Sequence, residues 1–256
     1  MEEKNKPIGI FDSGLGGISV LKEAIKLLPY EDFIYYGDTK NAPYGTRSVK
    51  EIRKLTSNVV KFLLAKEVKA IVIACNTATS ASVDELRKRY SMPIIGIEPA
   101  LKPAVELNRK GRIIIMATTV TLSEKKFKSL MAKYKKDRSI VPLPCPGLME
   151  FIENGDIDSL ELEEYLREKL NKFTDEQISS IVLGCTHYPF IKNKLSQIVG
   201  EDVPIIDGST GTSMQLKRQL EKANLLNNKK VPGNIDIYSS LDREDIINLS
   251  YKLMNI

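Results

Sequence analysis

The chain has 256 residues, 42% of them hydrophobic and 28% charged, with a formal net charge of +5 and three cysteines. That length and balance argue against disorder and give a soluble globular protein of one large domain or two of about 100 to 130 residues. The acidic opening "MEEKNKPIGIF" lacks the basic-then-apolar order of a signal peptide. No apolar run approaches the roughly 20 residues that span a bilayer, so the expected setting is the cytoplasm, with no membrane partner. Three cysteines cannot all pair, and they read as thiols in a reducing compartment.

In chain order, apolar β-branched runs at 8–11, 33–36, 70–74 and 93–97 predict strands. The pattern resumes at 112–117, 139–143, 180–184 and 204–208. Helical spacing of apolar residues falls at 17–28, 48–66, 78–90, 122–135, 159–173, 190–199, 210–225 and 242–254. Strands that are uniformly apolar, instead of alternating, indicate parallel sheets covered on both faces by helices. The densest charge, "EKKFKSLMAKYKKDR" at 124–138, interleaves lysines with Phe127, Leu130, Met131 and Tyr134. That run reads as a solvated helix face, and no nucleic-acid partner is expected.

Two segments repeat one arrangement. "IVIACNTATS" from Ile71 and "IVLGCTHYPF" from Ile181 each run a strand into a cysteine, then a helix, a proline and another strand. The interval from Cys75 to Pro93 nearly equals that from Cys185 to Pro204, and Asp12 to Thr118 is close to Cys75 to Cys185. The expected architecture is α/β, with two pseudo-symmetric domains, each a mainly parallel sheet flanked by helices, and an active site between them. Residues 1–97 plus 208–256 form the first domain and 98–207 the second.

Ligands of parallel α/β sheets bind beyond the carboxyl ends of strands, where Cys75 and Cys185 both fall. A helix starting after each would offer N–H groups that favour a thiolate or an anion. Two thiols approaching one carbon from opposite faces suit racemisation, in which one base removes a proton and the other group returns one. Ser13, Asn76, Thr77 and Thr186 are nearby donors for the charge that develops on the substrate. A metal site is disfavoured, because His187 is the only histidine and "CTH" lacks ligand spacing. Cys145, in "PLPCPG", has no matching partner and reads as structural. "FDSGLGG" does not complete a dinucleotide fingerprint, although a tight loop at Asp12 is expected.

"GIFDSGLGG", "NAPYG", "ACNTAT" and "GCTHYP" in this order over residues 9–189, with "DG" at 207–208, resemble the cofactor-independent aspartate/glutamate racemase family. The resemblance implies interconversion of L- and D-glutamate without pyridoxal phosphate or any other cofactor, supplying D-glutamate for peptidoglycan. It makes Cys75 and Cys185 the catalytic thiols, working on the D- and L-enantiomer respectively. Asp12 would assist the first thiol and His187 the second, with Glu153 as an additional acidic group for which Glu150 competes. Substrate-binding positions would be Asp12, Ser13, Tyr44, Gly45, Asn76, Thr77, Thr118, Thr121, Thr186 and His187, with Tyr44 and Gly45 acting through turn backbone. Ala117 stands where the family often has glycine, which bears on Thr118 and Thr121. Glutamate is the expected partner, as substrate; a homodimer is left open. Aspartate racemisation, a non-catalytic amino-acid-binding regulator on the same fold, and nucleic-acid binding remain the competing readings.

Overall fold

In the computed structural model, which describes residues 2–123, 125–135, 139–173, 177–241 and 243–255, the chain divides into two compact units. One comprises Met1–Glu98 with Ser209–Ile256 and the other Pro99–Gly208. The first segment runs β1 (Ile8–Asp12), α1 (Ile18–Leu27), β2 (Phe33–Gly37), α2 (Val49–Ala65), β3 (Ala70–Ile73), α3 (Asn76–Arg89) and β4 (Ile94–Gly96). The second unit follows as α4 (Leu101–Glu106), β5 (Arg112–Ala117), α5 (Thr119–Ser123), α6 (Lys125–Lys135), β6 (Ile140–Pro144), α7 (Leu148–Glu153), α8 (Leu160–Asn171), β7 (Ile178–Leu183), α9 (Lys192–Val199) and β8 (Ile205–Asp207). The chain then supplies α10 (Ser209–Lys222), β9 (Ile235–Ser239) and α11 (Glu244–Met254) to the first unit.

The first sheet has the order β4-β3-β1-β2-β9 and the second β6-β5-β7-β8, every pairing parallel. Read from the β4 and β8 ends, the two orders coincide, with β9 an extra edge strand beside β2. The central strands β1 and β5 are almost wholly buried, as expected where helices cover both faces of a parallel sheet. Phe11, Ile71 and Ile73 pack with Val60 and Leu63 of α2 and Val83 of α3 in the first core. Ile113, Ile115 and Val182 pack with Leu101, Ala104 and Phe127 in the second.

This topology fixes where chemistry can gather. After β1 the chain crosses to β2 on one side, and after β3 to β4 on the other, so the gap between β1 and β3 is a topological switch point. The gap between β5 and β7 is its counterpart. Because Phe11 pairs with Ile73 and Met116 with Leu183, the loops leaving each pair of strands emerge side by side.

Three elements escape the sequence pattern: α4, α7 and β9. The helices have six residues each, and α4 carries Pro103. Strand β9 is a half-exposed edge whose second residue is Asp236 and last is Ser239, so it shows no apolar run. Prolines 142 and 144 are accommodated because β6 is also an edge, where a missing ladder donor is tolerated. The helix expected over 122–135 is represented by α5 and α6. Glu124 and the end of the lysine-rich stretch, 136–138, lie outside the described residues, as does Asp242 at the start of the helix expected over 242–254. No helix among the described residues is long and apolar enough to cross a membrane.

Candidate active site

In the first unit, Asp12 ends β1 fully buried, its Oδ2 accepting the Gly14 N–H at 3.1 Å. The Tyr35 hydroxyl donates to the Gly14 carbonyl at 2.7 Å and holds the same turn from β2. Gly17 has to be glycine here, since a Cβ would lie 2.6 Å from that of Asp12 and 3.0 Å from that of Ala74. Cys75, two residues past β3, caps α3, and its sulfur accepts the Ala78 N–H at 3.4 Å. Its thiol donates to Ser13 Oγ at 3.6 Å, so the β1 and β3 loops meet through these two side chains. Asn76 and Thr77 open α3 and are buried; Asn76 Oδ1 has no hydrogen-bond partner among the described residues. A buried acceptor left so is costly unless a donor arrives.

Tyr44 and Gly45 lie in a short 3-10 turn, Tyr44–Thr46, after β2. The buried Tyr44 hydroxyl donates to Asp38 Oδ2 at 2.6 Å. Burial, then the Asp38 carboxylate, pushes that phenol far above the ordinary tyrosine range. Its O–H is thus committed to Asp38. Asp38 also accepts from Asn41 Nδ2 at 2.9 Å, while its own N–H bonds the Asp12 carbonyl at 3.0 Å. Asp38 therefore organises the loop, a role that no sequence signal marked.

In the second unit, Cys185 follows β7, half-buried, with Thr186 and His187 buried behind it. The helix expected over 190–199 is α9 from Lys192, preceded by a 3-10 segment, Tyr188–Ile191, so no α-helix begins at Cys185 as α3 does at Cys75. Pro189 stands in the first turn of that segment, where its missing N–H leaves no bond unmade. The sulfur of Cys185 sits 3.7 Å from His187 Nδ1, and His187 Nε2 lies 2.5 Å from Glu153 Oε1. Burial opposes charge on this imidazole, but the hydrogen bonds to Cys185 and Glu153 and the carboxylate's field outweigh it. The result is a pKa well above that of an ordinary histidine. The imidazolium then donates from both nitrogens, one to sulfur and one to carboxylate.

Glu153 is the last residue of α7, whereas Glu150 is exposed on its first turn. Thr118 and Thr121 meet at the start of α5, where Thr118 Oγ1 accepts the Thr121 N–H at 3.2 Å and bonds its hydroxyl at 3.0 Å. Cys145 is 2% exposed, its thiol donating to the Leu143 carbonyl, and burial pushes its pKa up to about 12. Among the described residues no group of three His, Cys, Asp or Glu side chains has metal-binding spacing.

The Asp/Glu/Hydantoin racemase family model matches residues 18–212. A glutamate racemase of Clostridium novyi is 61% identical over the full length of both chains. The crystal structure of glutamate racemase isoform RacE1 from Bacillus anthracis superposes with a TM-score of 0.88 at 30% identity, covering 99% of this chain and 95% of that one. That of the Francisella tularensis glutamate racemase in complex with D-glutamate gives 0.84 at 33% identity, with the same coverages.

Proposed function

The chain belongs to the Asp/Glu/hydantoin racemase family, and from that premise we propose that it interconverts L- and D-glutamate without a cofactor, supplying D-glutamate for peptidoglycan in the cytoplasm. The observation that carries this reading is the placement of Cys75 and Cys185 at equivalent switch points of two sheets with the same strand order.

The reaction requires both thiols at one α-carbon. A thiolate Sγ takes the α-proton, the electron pair left behind delocalises into the substrate carboxylate, and the opposite S–H returns a proton to the other face. Atoms and charge balance: one cysteine ends as thiol, the other as thiolate, and nothing is oxidised. Cys75, with Asp12 and Ser13 beside it, serves the D-enantiomer. Cys185, with the His187 imidazolium at its sulfur, serves the L-enantiomer. The hydroxyls of Thr77 and Thr186 and the N–H groups opening α3 are donors for carboxylate charge. The α-ammonium group supplies the donor that Asn76 Oδ1 lacks.

Purified protein, dialysed against chelator, is incubated with L-glutamate in heavy water and followed by polarimetry and mass spectrometry, with L-aspartate in parallel. Loss of optical rotation with solvent deuterium entering the α-carbon, and little turnover of aspartate, is expected. Retention of the original α-hydrogen, or activity only after adding pyridoxal phosphate or a metal, overturns the reading.

A further inference from the structure

We propose that Tyr188 is a positioning residue for the second thiol: its buried phenol, bonded to the Cys145 carbonyl, holds the loop after β7 against α7 and so sets the contact between His187 and Glu153. This rests on reading Cys185 and His187 as half of the racemase site.

The geometry is a closed ring. Tyr188 is fully buried, its hydroxyl 3.1 Å from the Cys145 carbonyl oxygen, and its own N–H donates to the Cys185 carbonyl at 3.2 Å. The same Cys145 carbonyl receives the N–H of Leu148, the first residue of α7, at 3.5 Å. Glu153 closes α7 and reaches His187, which stands directly before Tyr188. A six-residue helix has too few internal bonds to hold its place alone, so its anchors decide where Glu153 sits. One carbonyl therefore references both partners of the short His187–Glu153 bond. The titratable groups around this ring include Cys185, Glu153 and Glu150 of α7, Cys145, Tyr165 and Lys169 of α8, and Lys172 just after it.

Tyr165 provides a matched control. Its hydroxyl donates to the neighbouring Pro146 carbonyl at 2.8 Å, from the exposed side of the same loop. Removing either hydroxyl loosens the loop, but only Tyr188 joins it to His187. His187 being the sole histidine, its imidazole resonance titrates without assignment ambiguity and without any assay of activity.

In Tyr188→Phe, thermal unfolding and circular dichroism establish that the fold is kept. The histidine pKa is expected to fall by roughly one pH unit, a part of what a carboxylate at hydrogen-bond range contributes. Proton abstraction from L-glutamate should slow roughly tenfold with KM little changed, the cost of a small misplacement. Tyr165→Phe should leave both near the parent values. An unchanged histidine titration in Tyr188→Phe, or equal shifts in the two variants, overturns the proposal. Failure of the unmodified protein to racemise glutamate would instead remove the functional reading, while the titration still decides whether Tyr188 positions His187.

Discussion

Three thiols in one chain occupy three environments, and their chemistry should differ accordingly. Cys75 caps a helix beside Ser13, Cys185 is half-buried beside a charged imidazole, and Cys145 is buried with its pKa pushed up to about 12. At pH 8 the thiolate fraction of Cys145 is on the order of 10⁻⁴, so it should resist alkylation. Iodoacetamide is expected to inactivate through Cys185 or Cys75, with glutamate protecting both, and Cys145→Ala should keep near-parental kcat. Peptide mapping that tied inactivation to Cys145 alone would reverse these roles. Cys75 and Cys185 stood out in the sequence through their shared strand-end context, whereas Asp12 and His187 were named as site residues only through the family resemblance. Asp38, Tyr35 and Tyr188 were not. Their work is done through hydrogen bonds that include partners 6, 21 and 43 residues away, which leave no periodic mark.

At the scale of elements, the approach of α1 to β1 and β3 is set by Gly17. Gly17→Ala would force a methyl to 2.6 Å from Asp12 Cβ and 3.0 Å from a ring carbon of Tyr35. Crowding of this kind typically costs about 1–3 kcal/mol. Because the displaced side chain is Asp12, activity with D-glutamate should fall further than the loss of folded protein explains. Urea unfolding with steady-state kinetics on the same preparation checks this, and a variant with both parameters unchanged would show that the loop yields freely. Strands β1 to β8 were readable as apolar, β-branched runs. What escaped was short or peripheral: α4 and α7 have under two turns, and β9 is an edge strand interrupted by Asp236.

For the whole molecule, the division into two units places a charged anchor far from the chemistry. Lys69 stands just before β3, at the opposite end of that strand from Cys75, with its ammonium fully buried 2.5 Å from Glu31 Oε2. Glu31 Oε1 in turn accepts the Asn227 N–H at 2.8 Å, and Lys229 pairs with Asp32. The returning segment is thereby tied to the beginning of the sheet. Removing one member of such a pair commonly costs about 3–5 kcal/mol, because the other charge stays buried. Lys69→Met should lower stability by that order while leaving kcat of the folded fraction intact, and Lys69→Met combined with Glu31→Leu should recover part of the loss. Urea midpoints matching the parent in the single variant would deny the pair any role. Strand β9 carries a further consequence, for synthesis. Pro99–Gly208 is contiguous and can complete its sheet as soon as it leaves the ribosome, whereas the first sheet must wait for residues 235–239. Until they arrive, β2 is an uncovered parallel edge, the kind of surface on which nascent chains pair wrongly, so the half made first is the half finished last.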